Sequence, residues 1–255
     1  MTTPSRHAVG QYATTTAKLA ARIALHAYGT NPQSWWSWLG SRLPRRGAVL
    51  EVGAGTGELW RHVDRGGLVR DLVLADFSAA MCTRLREVPA ARVVRCEAAA
   101  LPFPAGAFDT LIANHMLYHV DDPEAALREF ARVLRPGGRL AIAVNGRGHM
   151  AELDAVAPAI GRPRLHRDGR VNDFTAETGR AYVARHFAEV TVERYHCDLA
   201  VPAAEPIVAY VASWADPPLS EDECRAVHEL IRDRIDASGT FPIAKHTVLI
   251  SGVRW

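Results

Sequence analysis

The sequence of 255 residues has room for one large α/β domain, or a domain with an added cap, and for a sizeable core. Thirty lysines and arginines face 28 aspartates and glutamates, a net charge of +2, and no run of one sign exceeds three residues. That balance argues against a nucleic-acid stripe or a polybasic membrane patch.

The chain begins with residues 1–47, which are helical in pattern and rich in rings: Tyr12, His26, Tyr28, Trp35, Trp36 and Trp38. They read either as packing or as a flap over a ligand. This segment has no apolar core of signal-peptide length, and no window of the chain approaches the roughly 20 apolar residues of a membrane span. Cys82, Cys96, Cys197 and Cys224 are scattered without a CxxC pair, as expected of reduced, mostly buried thiols. These features predict a cytoplasmic protein. Lysine occurs only at Lys18 and Lys245.

From Ala48 short apolar runs alternate with amphipathic ones. AVLEV (48–52), DLVLA (71–75), RVVRC (92–96), FDTLIA (108–113) and RLAIAV (139–144) read as strands of a parallel sheet covered on both faces. The first runs into Gly53-Ala54-Gly55-Thr56-Gly57, where glycines allow a sharp turn and close approach of a ligand. Asp76 ends the second strand, placed to accept hydrogen bonds from ribose hydroxyls. A helix follows Ser78, with Met81, Leu85 and Val88 inward.

After the fourth strand comes NHMLYH (114–119), with His115 and His119 four apart. On a helix that spacing would place both imidazoles on one face, as in zinc sites. The adjacent glutamate of HExxH is missing, however, Met116 stands there, and no third ligand appears. The next helix spans Pro123 to about Leu134, capped by Asp122, with Leu127, Phe130, Val133 and Leu134 as its stripe and Arg135-Pro136-Gly137-Gly138 as its stop.

Beyond the fifth strand, Asn145 and His149 lie where open α/β sheets bind ligands. His166, among arginines, reads as a solvated loop residue. VTVERYH (190–196) and TVLISGVRW (247–255) read as strands, Glu193 and His196 being structural, joined by a mostly helical connection interrupted at Pro217-Pro218.

A dinucleotide and S-adenosylmethionine both fit a glycine loop followed by Asp76. A dinucleotide fold wants GxGxxG, whereas the third glycine here comes one residue early. Glu51 would disfavour a pyrophosphate and welcome an ammonium.

VLEVGAGTG resembles the first motif of class I S-adenosylmethionine-dependent methyltransferases. LVLADFSAAM, RCEAAALPFPAGAFD and ANHMLYHVDDPEAALREFARVLRPGGRLAI resemble the family's later motifs in the same order, over about 48–145, closest in flavour to the ubiquinone and menaquinone branch. Three positions depart from the family: Glu97 for aspartate, Cys96 for glycine and Ala99 for an acidic residue.

The resemblance implies a Rossmann-like, seven-stranded, mostly parallel sheet whose last strand is antiparallel. It implies S-adenosylmethionine held by Glu51, Gly53, Ala54, Gly55 and Gly57, by Asp76 at the ribose, by Phe77 and Met81 beside the adenine, by Glu97 and Ala98 at its edge, and by Asn114 at the methionine moiety. Tyr12 resembles an aromatic that closes over the cofactor. His115 is the first candidate for general base or substrate ligand, with His119 and Tyr118 behind it. No metal is implied.

The expected domains are a lid at 1–47 and a methyltransferase domain at 48–255 with a helical insert at about 200–240. The acceptor is expected to be a small, moderately apolar molecule in natural-product metabolism, with no nucleic acid or membrane partner, acted on by a monomer or homodimer. RNA or protein methylation, and binding of S-adenosylmethionine without transfer, are the competing readings.

Overall fold

The computed structural model describes residues 16–44, 46–67, 69–162, 165 and 172–255. Strands β1 (Gly47–Val52), β2 (Val69–Asp76), β3 (Ala91–Arg95), β4 (Phe108–Asn114) and β5 (Leu134–Asn145) pair in parallel in the order β3-β2-β1-β4-β5. β6 (Phe187–Tyr195), the short β7 (Leu199–Val201) and β8 (Phe241–Ile243), and β9 (Thr247–Arg254) follow. β9 lies between β5 and β6, antiparallel to both, which completes the seven strands with the last one reversed. β7 and β8 form a separate antiparallel ribbon.

The helices are α1 (Thr16–Leu25), α2 (Trp35–Gly40), α3 (Glu58–His62), α4 (Ala79–Leu85), α5 (Pro123–Val133), α6 (Val156–Ala159), α7 (Gly179–Val183), α8 (Glu205–Trp214) and α9 (Glu221–Ser238). α5 starts where the sequence places it. Asp122 accepts from the Ala125 N–H at 2.9 Å, and Pro123 takes the first turn, where its missing N–H costs nothing. Arg135-Pro136-Gly137-Gly138 does end the helix, but β5 already begins at Leu134. Phe108 pairs with Leu134 and Thr110 with Arg139, so the intervening segment bulges out of a strand longer than expected.

Successive residues of β1 and β4 feed opposite faces. Leu50, Val52 and Leu111 pack with Leu127 and Phe130 of α5, while Val49 and Ile112 pack with Trp38, Leu59 and Trp60. This explains the continuous apolar runs. A third core joins Leu25 of α1, Met150 and Leu153 beyond β5, Leu199 of the ribbon, Ile207 and Val211 of α8, and Val227 and Ile231 of α9. The N-terminal helix and the late insert therefore share one interior. β7 and β8 escape sequence reading because three residues carry no measurable periodicity.

Candidate active site

The carboxyl ends of β1, β2 and β4 surround a cavity of about 420 Å³. The glycine loop forms its floor. Gly53 has φ +68°, and a Cβ there would stand 2.6 Å from the Cβ of Met116, so both backbone and neighbour require glycine. Gly55 faces open space, with nothing within 4 Å of where a Cβ would be, and Ala54 lines the wall beside it. Gly57 differs from expectation. It does not line the cavity but caps α3 in the left-handed region, where a Cβ would meet Val88 at 2.7 Å. Its task is packing α3 against the residues after α4.

Asp76 locks the loop in place. Its Oδ2 accepts from the Gly55 N–H at 2.9 Å and its Oδ1 from the Ser78 N–H at 2.8 Å. Each oxygen has lone-pair capacity left for a ligand hydroxyl. Burial pushes this carboxyl up, against the N–H groups of Ser78, Gly55 and Phe77.

Glu51 is buried beside it. Its Oε2 accepts from Trp60 Nε1 at 2.5 Å and its Oε1 from Asn114 Nδ2 at 3.3 Å. Burial drives Glu51 up to about 8, with the bonds from Trp60 and Asn114 opposing and the Asp76 charge reinforcing. Asn114 Oδ1 is also buried and has no hydrogen-bond partner among the described residues. A strained carboxyl next to an orphaned acceptor fits a cationic donor such as the ammonium of S-adenosylmethionine.

Phe77, Met81, Glu97 and Ala98 line the other end together with Cys96, whose thiol burial pushes up to about 11, ahead of smaller contributions from Cys82 and Asp76. The loop after Glu97 is held from α5. Arg132 donates to the carbonyls of Leu101 at 2.9 Å and Phe103 at 2.7 Å, and Glu129 accepts from the Leu101 N–H at 2.8 Å.

His115 and His119 both line the cavity, but not as one helix face. His115 has φ +52°, a conformation costly for a side chain with a Cβ, held by its N–H bond to the Ala143 carbonyl at 2.9 Å. Only Leu117–His119 is helical, and in the tighter 3₁₀ form. The His115 ring lies 5.5 Å from the Trp35 ring. Burial pushes it down to about 4, followed by the charges of Lys245 and His119. Tyr118 lies edge-on to His119 at 4.5 Å, packs toward the α5 core and is absent from the cavity wall. No three His, Cys, Asp or Glu side chains converge as a metal site among the described residues.

Tyr12 and His166 lie outside the described residues. Away from the cavity wall, Asn145 accepts from Thr247 Oγ1 at 2.8 Å, and His149 Nδ1 accepts from the His246 N–H at 3.1 Å. Glu193 pairs with Arg42 at 2.9 Å, and the His196 carbonyl accepts from Asn31. The sequence reading missed Trp60 as the partner of Glu51, Met116 over Gly53, and the cavity-lining Ile23 and Trp36 of the N-terminal segment. Only the aromatic density of residues 1–47 hinted at the last of these.

Residues 50–142 match the family described as a methyltransferase domain. Among curated relatives, the ubiquinone/menaquinone biosynthesis C-methyltransferase UbiE of Enterobacter sp. is 35% identical over 156 residues, covering 57% of this chain and 59% of the relative. The chain thus spans about three fifths of the length of such relatives. Among solved structures, the YcgJ protein from Bacillus subtilis superposes with a TM-score of 0.59 at 20% identity, over 86% of this chain and 97% of that one. Phosphoethanolamine N-methyltransferase 2 from Haemonchus contortus, solved with S-adenosyl-L-methionine, gives 0.60 at 16%, over 98% of this chain and 60% of that one. Residues 50–142 thus match a methyltransferase domain, and motif order, the Glu51–Asp76–Asn114 cavity and these likenesses make the chain similar to the class I S-adenosylmethionine-dependent methyltransferases.

Proposed function

We propose that the protein transfers a methyl group from S-adenosylmethionine to a small molecule bearing an oxygen, nitrogen or carbon nucleophile. The observation that carries this reading is the buried Glu51 carboxyl beside the orphaned Asn114 oxygen, one loop away from Asp76. Glu51 and Asn114 would receive the ammonium and Asp76 the ribose. Gly55 would let the cofactor approach the main chain, and Phe77, Met81, Glu97 and Ala98 would enclose the adenine. When bound, the cofactor would supply a methyl on a sulfonium, which an electron pair of the acceptor takes while the carbon–sulfur electrons pass to sulfur and any proton on the acceptor passes to solvent.

The chain's own contribution is positioning and exclusion of water. Ile23 and Trp36 would close the cavity from the N-terminal side, making that segment, with the α8–α9 insert, the lid. His115, pushed down to about 4, is a poor proton acceptor near neutrality, so it serves as a neutral hydrogen-bonding wall to the acceptor rather than a general base. The relatives named as C-methyltransferases of ubiquinone/menaquinone biosynthesis favour a ring-bearing acceptor, as do Trp35 beside His115 and Tyr195 beside Trp35.

The test is incubation with S-adenosylmethionine and a panel of small aromatic acceptors, reading S-adenosylhomocysteine by mass. Acceptor-dependent product is expected. Tight cofactor binding with no product across the panel would favour a binding protein without transfer.

A further inference from the structure

Lys245 lies in the turn between β8 and β9, which the pairing of Thr247 with Asn145 brings to the carboxyl end of the parallel strands. The Met150 N–H donates to the neighbouring Ala244 carbonyl at 2.8 Å, tying this turn to the loop after β5. Lys245 is only 8% exposed. Its ammonium stands 5.9 Å from the centre of the Tyr195 ring, which lies 5.3 Å from Trp35, itself 5.5 Å from His115 on the cofactor cavity. A buried cation is thus linked through two rings to the cofactor cavity.

The charge around it is unbalanced. Among the described residues no carboxylate lies within ion-pair distance of the Lys245 ammonium; the nearby, exposed Asp198 accepts instead from the Lys245 backbone N–H at 2.8 Å. Burial lowers the Lys245 pKa, with Cys197 and Asp198 opposing. Burial and then Lys245 push the His115 imidazole down to about 4. The Tyr195 face and, within reach of its charge, the neutral His115 imidazole are thus what the cation meets on this side, and neither is a counter-charge. Such a cation is costly to bury unless a counter-charge arrives.

Resting on the methyltransferase reading, we propose that Lys245 positions the acceptor by pairing with an oxyanion on it, so that the substrates are ionisable hydroxyarenes or enols bound as anions. A cationic amine would meet repulsion at this site. A neutral ether of the same shape would leave the ammonium unpaired.

The test uses protein loaded with S-adenosylhomocysteine, titrated at pH 8 with 4-nitrophenol, whose anion is yellow, and with 4-nitroanisole, its uncharged methyl ether. Wild type should prefer the anion by about tenfold or more. Lys245→Met should erase that preference while binding S-adenosylhomocysteine normally, and Lys245→Arg should keep most of it. Equal or absent binding of the anion by loaded wild type overturns the proposal, as does a preference that survives in folded Lys245→Met. If S-adenosylhomocysteine itself does not bind, the methyltransferase reading falls and takes this one with it.

Discussion

Glu51 ties cofactor affinity to pH. Its carboxyl, pushed up to about 8, keeps a proton between about 4.5 and 8 that the unfolded chain has lost. The unfolded state binds fewer protons in that window, so the unliganded protein loses stability as pH rises through it, at most about 1.4 kcal/mol per unit from this group. A cationic ligand favours the ionised carboxylate. Affinity for S-adenosylmethionine should therefore climb with pH up to about 8 and flatten above it, and Glu51→Gln should weaken binding and remove the climb. Calorimetric titration from pH 6 to 9 checks this; an affinity in wild type that ignores pH would detach Glu51 from the ammonium. His115→Ala should lower turnover yet leave cofactor affinity within about threefold, since His115 is assigned to the acceptor side. Equal turnover in an acceptor assay would reduce His115 to packing. The positions of Glu51, Asp76, Gly53 and Gly55 beside the cavity were legible because each stands at or just after a strand end in a recurring order, whereas the capping role of Gly57 was not. Trp60 and Met116 were not, because their roles come from tertiary contacts that no spacing encodes.

Among the elements, the glycine loop and the caps carry separate tasks. Gly57→Ala should lower the melting temperature, costing about 1–3 kcal/mol through its left-handed φ and the clash with Val88, while reducing cofactor affinity less than Asp76→Ala does. The reverse ranking would return Gly57 to the cofactor. α9 opens with a reciprocal cap: the Ser220 hydroxyl accepts from the Glu223 N–H at 3.1 Å, and Glu223 accepts from the Ser220 N–H at 2.7 Å. Ser220→Ala should cost about 1 kcal/mol in denaturant unfolding without touching cofactor binding. The parallel strands and α5 could be read from apolar runs and the Asp-Pro cap. β5 was underestimated because Arg-Pro-Gly-Gly signals a break, and a bulge looks like a break when only the sequence is visible.

For the whole molecule, the third core fixes the N-terminal helix to the late insert. Leu25 is fully buried there against elements some two hundred residues distant, so Leu25→Ala should cost about 2–4 kcal/mol. The sequence showed two aromatic or helical segments at opposite ends of the chain but not that they pack together, since contact across such a separation leaves no periodic trace. The sheet gathers Glu51, Asp76 and Asn114 from β1, β2 and β4 at one edge, and the account stands on their holding S-adenosylmethionine. Isothermal titration of wild type and Asp76→Ala with S-adenosylmethionine, with NAD as control, tests this most directly. The expected result is binding of S-adenosylmethionine alone, weakened more than about tenfold in the variant through loss of charge-assisted hydrogen bonds; NAD binding, or a variant with wild-type affinity, would contradict it.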